Sequence, residues 1–247
     1  MNIFTMTGEV LLSDAGVENK LDKIEKKAGQ TSKSMSSHFA SMAGAALKFG
    51  AVLGLGLGLK DMITKATESQ KKMAQLNSVL LSTKGAAGMS KDALLKLADA
   101  QGKVTTFSKG TTMAAESLLL TFTGIGKKAF PDTIKAAQNM STAMGTDLNS
   151  SVMTLGKALN SPADGLAKLT KQGVTFTDAQ KKQVKAMVAV GNVSGAQAIM
   201  LKELQKEFGG SAEAAGKTFG GQLQILKNQM GGVSTSLGTT LLPYLTS

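Results

Sequence analysis

A chain of 247 residues with 42% hydrophobic content is long enough for one or two domains, but nine Phe, one Tyr and no Trp leave few large anchors for a core. Cys is absent and there is a single His, which excludes disulfide frameworks, thiol nucleophiles and most metal chemistry. The net charge of +11 rests on 28 Lys and no Arg, which argues against guanine-reading recognition of nucleic acid and leaves a non-specific attraction to phosphates open.

Taken in chain order, Ile3 to Leu12 alternates as a short β-strand or hairpin, ended by the Ser13-Asp-Ala-Gly16 break. No basic run followed by an apolar run opens the chain, so a cleaved secretory signal is not expected. Val17, Leu21, Ile24 and Ala28 then recur at three- and four-residue spacing among charged residues, the pattern of an amphipathic helix. A polar linker follows, and His38 beside it reads as an exposed imidazole rather than a general base.

Residues 39–59 are apolar for about the length of a membrane span, with Lys48 as the one charge. On a helix, Ala46, Gly50, Gly54 and Gly58 form a seam at four-residue intervals that suits close helix–helix or membrane packing. The glycines at 50, 54, 56 and 58 together cost such a helix about 4 kcal/mol relative to Ala, so something must pack against it. A bilayer, partner copies or the rest of the chain could supply that packing. A strand with Leu53, Leu55, Leu57 and Leu59 on one face also fits the last residues.

From residue 60 to 83 the spacing predicts a helix stopping near Gly85. Ser90 is placed to cap a helix over 91–101, and 111–122 reads as another, stopped by Gly124 and Gly126. Pro131 suits a first helical position in a segment reaching about Met144. Asp147 caps 148–159, Ser161 precedes a start at Pro162, and Thr177 with Gln180 forms a capping box for a helix through Val190. Ser194 is the expected cap of the next helix, which Gly209 and Gly210 end in the left-handed region.

In the last helix, Phe219, Leu223, Leu226, Met230, Val233 and Leu237 step by four and three, close to a heptad seam for self-association. Gly231, Gly232 and Gly238 are expected to interrupt it. Burial on its own domain is the competing reading.

Few convergent polar groups suggest chemistry. Glu203 and Glu207 share a helical face, and Lys202 and Lys206 beside them predict a solvated charged surface. The Gly-rich stretches 54–58 and 124–128 lack the phosphate-loop ending in Gly-Lys-Ser/Thr. Lys127-Lys128 and similar pairs read as solvated faces. No catalytic activity, metal or cofactor is predicted.

Three differently built segments nevertheless follow one another in order: residues 155–166 (LGKALNSPADGL), 173–180 (GVTFTDAQ) and 208–220 (FGGSAEAAGKTFG), closing on 241–245 (LLPYL). This succession resembles the core domain of the tail tape-measure proteins of bacteriophages and prophages. The resemblance implies a structural protein of the virion, an internal ruler and scaffold in the tail lumen that leaves ahead of the DNA at ejection. It implies as partners the tail tube protein, tail assembly chaperones, other copies of the chain and the host membrane, with assembly in the host cytoplasm. It also implies that sequence would continue beyond residue 245, which leaves open a truncated piece, the product of a shortened or split prophage gene, or the amino-terminal module of a larger protein. Two alternatives rest on the residues themselves: a membrane-active or pore-associated protein using residues 39–59, and a basic helical protein bound non-specifically to DNA.

The expected fold is all-α, an elongated array of short helices with a short amino-terminal β-strand. The expected divisions are a strand, charged helix and linker over 1–38, the apolar segment over 39–60, and a helical tape-measure core over 61–247.

Overall fold

A computed structural model describes residues 59–246, with side chains described for 61–240. The expected strand, the helix from Val17, His38 and the seam Ala46, Gly50, Gly54 and Gly58 lie outside the described residues. Among the described residues every regular element is a helix, as expected.

Local caps set the boundaries. Helix α1 (Leu59–Ser82) exits through Lys84 and Gly85, at φ of 52° and 66°. Ser90 caps α2 (Lys91–Val104) by accepting from the Ala93 amide. Helix α3 (Lys109–Leu119) starts earlier than the spacing predicted, because the Ser108 hydroxyl accepts from the Thr111 amide. Pro131 sits in the first turn of α4 (Phe130–Met144), where its missing N–H breaks no helical bond. Asp147 Oδ1 accepts from the amides of Asn149 and Ser150 to start α5 (Leu148–Asn160). The remaining helices are α6 (Pro162–Lys171), α7 (Asp178–Ala189), α8 (Val193–Phe208), α9 (Ser211–Lys217) and α10 (Phe219–Thr246). The Thr177–Gln180 capping box at α7 has both of its reciprocal bonds.

Several expectations are corrected. Ser161 precedes α6 but makes no side-chain capping bond, since its backbone is also the end of α5. Ser194 lies inside α8, whose cap is Asn192, its Oδ1 accepting from the Gly195 amide at 3.0 Å. Only Gly210 is left-handed after α8, at φ 82°, while Gly209 has φ of −55° and ψ of 136°. Gly231, Gly232 and Gly238 do not interrupt α10, which runs through all three.

The residues divide into two units. In the unit Gln70–Met230 one cluster of buried apolar side chains forms the core. Helix α5 packs on α3, α4 and α6, and α4 packs also on α8 and α9. Among the described residues Phe130 and Phe176 are the buried aromatics of this core, and the rest of the interior is mostly Leu, Ala, Val and Met. Small residues replace bulk by bringing backbones together. A side chain at Gly165 would run into the Ala158 carbonyl, and one at Gly156 into the Phe122 ring.

Polar side chains tie this unit where alanine-rich packing leaves carbonyls enclosed. Gln197 Nε2 donates to the carbonyls of Gly124 (2.8 Å) and Leu159 (2.9 Å), and Asn160 Oδ1 accepts from the Gly124 amide (2.8 Å). Asn139 Oδ1 accepts from the Ala212 amide, joining α4 to α9. The Gln197 bond to Leu159 and the Asn139 bond to Ala212 satisfy groups that would otherwise be buried without partners.

In the other unit, which takes the described residues up to Ser69 and from Gly231, Met62 and Ala66 of α1 and Ser234 and Leu237 of α10 are buried. Gly238 lies where these helices approach, since a Cβ there would meet the Met62 carbonyl and the Ala66 side chain. That close approach is what the glycine provides.

Candidate functional site

Of the pair expected on a solvated charged face, Glu207 is exposed, as are Lys202 and Lys206, and Glu203 is not. Glu203 is buried, accepting from Gln180 Nε2 at 2.6 Å and Lys206 Nζ at 2.8 Å. The Lys206 hydrogen bond, then that of Gln180, holds its carboxyl below the usual range. Glu207 Oε1 accepts from the Thr175 amide at 2.7 Å. The pair therefore staples the loop before α7 onto α8, and the capping-box residue Gln180 is itself the link. Sequence spacing along α8 could show Lys206 beside Glu203, but not Gln180 and Thr175, which come from α7 and the loop before it.

The second buried acid is Glu116, in the middle of α3. It is fully buried, and neither carboxylate oxygen has a hydrogen-bond partner among the described residues. Burial pushes its carboxyl up to about 8, against a weaker opposing pull from Lys109. Glu116 is therefore neutral at pH 7. Among the described residues no group of three or more His, Cys, Asp or Glu could hold a metal ion. No described helix is long and apolar enough to cross a membrane.

Two surfaces stand out. Along α10, Phe219 is 82% exposed, and Leu223, Leu226 and Val233 are about half exposed. Met230 is partly buried, and Leu237, the last residue of the expected seam, is buried. Ile225, which the seam omitted, is buried too. Most of the heptad positions thus face outward, the opposite of a helix that spends its apolar stripe on its own domain.

The other surface is a cleft of about 650 Å³ within Gln70–Met230. One wall is the face of α4 carrying Asp132, Lys135, Ala136, Gln138 and Asn139, at the three- and four-residue spacing that aligns side chains on a helix. The facing wall is Ser194, Ala198, Leu201, Lys202 and Gln205 of α8. Lys128 and Glu213 also line it. A hollow of about 260 Å³ shares Lys128, Ala129 and Ser194 and adds Gly124, Gly126, Lys127 and Gln197. None of Lys128, Lys135, Lys202, Asp132 and Glu213 is in an ion pair with a described residue. Gln138 is buried in the cleft wall with its Nε2 on Thr112 Oγ1 and its Oε1 without a donor.

Sequence reasoning did not single out this cleft. The available signal was a polar stripe, Asp132, Lys135 and Asn139, on one helix, and it carries no information about which element faces it.

The family described as prophage tail length tape measure protein has a model that matches residues 40–185. The match takes in the apolar segment from residue 40, the motif at 155–166 and that at 173–180. The motifs at 208–220 and 241–245 lie beyond it. No curated protein and no solved structure matches the chain.

Proposed function

The chain belongs to the prophage tail length tape measure protein family, whose model matches more than half of it, and from that membership we propose that it acts as an internal ruler and scaffold within the tail lumen. The family is a structural one, associated with other tail components and with tail length determination in general. The finer reading adds that tail tube subunits assemble around copies of this chain with the help of tail assembly chaperones. The copies are made in the host cytoplasm and leave ahead of the DNA. Under this reading residues 61–247 are the helical core of the ruler, and residues 39–60 form a separate apolar segment.

The observation carrying the proposal is the family match, supported by an all-α fold over the described residues, since a helix gains length in fixed steps per residue. Copies are proposed to associate along the outward apolar face of α10 through Phe219, Leu223, Leu226, Met230 and Val233, while Leu237, the last residue of the expected seam, is buried within the chain. Four heptads inserted in register into α10 in the full gene, about 28 residues, should lengthen the tail by about 42 Å at 1.5 Å per residue. Tail lengths measured by electron microscopy that stay constant while virions still assemble would refute the ruler role.

A further inference from the structure

We propose that Thr112, Glu116 and Gln138 form a closed ring of hydrogen bonds that latches α3 to α4 and opens when Glu116 loses its proton. The geometry starts from one bond between the helices, Gln138 Nε2 donating to Thr112 Oγ1 at 3.2 Å, with all three residues buried. Thr112 and Glu116 stand one turn apart on the same face of α3, and a long helical side chain leans back toward the amino terminus, which carries the carboxyl toward Thr112. Three buried acceptors on these residues lack a donor: both Glu116 oxygens and Gln138 Oε1. Folded proteins normally satisfy such groups.

Two protons complete the set. The hydroxyls of Thr133 and Thr142 donate to the carbonyl four residues back, but that of Thr112 makes no such bond among the described residues, so its proton is available to one Glu116 oxygen. The other oxygen, carrying the carboxyl proton, donates to Gln138 Oε1. The ring then runs from Gln138 to Thr112, on to Glu116 and back to Gln138, and every oxygen in it has a partner. Ionisation sends the carboxyl proton to solvent and sets a carboxylate oxygen against Gln138 Oε1, acceptor against acceptor. Burial pushes the Glu116 carboxyl up to about 8, and a bond made only by the neutral acid acts in the same direction.

No charge is placed to replace the proton. Lys109, on α3 itself, pulls against burial without overcoming it. On the helices packed against α3, Lys91, Asp92, Lys96 and Lys103 of α2, Asp132 and Lys135 of α4 and Lys157 of α5 are exposed, and half-exposed Asp99 of α2 is paired with Lys103. Lys72 of α1 reaches α3 at Gly110, in its first turn.

The test is amide hydrogen exchange, read by mass spectrometry on the full chain at about pH 6 and about pH 9, with each rate divided by its intrinsic rate at that pH. Between the two, protection in α3 and α4 of the wild-type chain should fall at least about tenfold more than in α7, which does not pack on α3. In Glu116→Gln the new amide donates to Gln138 Oε1 and accepts from Thr112 at either pH, so the same comparison should change less than about threefold. Glu116→Met fills a similar volume with neither bond, and at about pH 9 it should protect α3 and α4 at least about tenfold less than Glu116→Gln. Circular dichroism keeps the comparison to folded protein, and the wild-type and Gln chains decide the matter by themselves if the Met chain does not fold. Equal falls in α3, α4 and α7 would make the loss global and overturn the latch. A fall in Glu116→Gln as large as in wild type would take the effect away from the Glu116 proton. Protection in Glu116→Met equal to or above that in Glu116→Gln would show a buried acid without a ring, and would overturn the proposal.

Discussion

Replacing Glu116 by Gln isolates the consequence of burying an acid without a partner. In the folded chain its carboxyl titrates at about 8, against 4.5 for the ordinary group, so between these values the folded state holds a proton that the unfolded state has released. More protons bound by the folded state means stability falls as pH rises, by about 1.4 kcal/mol per pH unit within that window. The contribution is fully present below pH about 4.5 and lost once pH passes about 8. At pH 7 the loss is about 3 kcal/mol, and above pH 8 it approaches about 5 kcal/mol. Glu116→Gln keeps the volume and the buried polar character but cannot ionise. Urea unfolding of the two proteins from pH 4.5 to 8.5 should therefore give midpoints that nearly coincide at the acid end and diverge as pH rises, with the Gln variant more stable. Curves that stay parallel to within about 1 kcal/mol would mean that Glu116 is hydrated or paired when folded, and the argument from burial would fail.

Other substitutions probe the ties that shape the core and the site. Gln197→Ala strands the carbonyls of Gly124 and Leu159, and denaturant melts should show a loss of about 2–4 kcal/mol. Gly165→Ala drives a methyl group into the Ala158 carbonyl and forces α5 and α6 apart, lowering stability by about 1–3 kcal/mol in the same assay. Thr177→Ala removes one half of the capping box and should cost about 1 kcal/mol. Gln180→Ala should cost more than Thr177→Ala, because it also takes the amide donor from buried Glu203, and a double-mutant cycle with Glu203→Gln should show coupling above about 0.5 kcal/mol.

Much of the helical order was legible because its signals are local. Ser90, Asp147 and the Thr177–Gln180 pair each act on amides two or three residues away, so the same short window that shows the residue also shows what it bonds. Pro131 worked for the same reason. The misreadings came where two local signals competed. Ser194 is a good cap by type, yet Asn192 stands two residues earlier and takes the role, leaving the serine inside the helix. Glycine was read as a helix breaker at Gly238, where the missing side chain admits α1 and packing offsets the intrinsic cost.

Composition, hydrophobic period and caps were enough to determine the all-α fold of the described residues, and the order of the motifs was enough to point to the tape-measure family that the match over residues 40–185 establishes. Tertiary structure alone decided what the polar residues do. Glu203 and Glu207 became a staple, Glu116 a neutral core acid, and Lys135 and Lys202 facing walls of one cleft. The physical reason is range: a cap or a hydrophobic stripe is set by neighbours within a turn or two. The environment of a charge depends on which distant helix packs against it, and for Gln180 and Glu203, Asn139 and Ala212, or Gln197 and Gly124 that neighbour lies far along the chain.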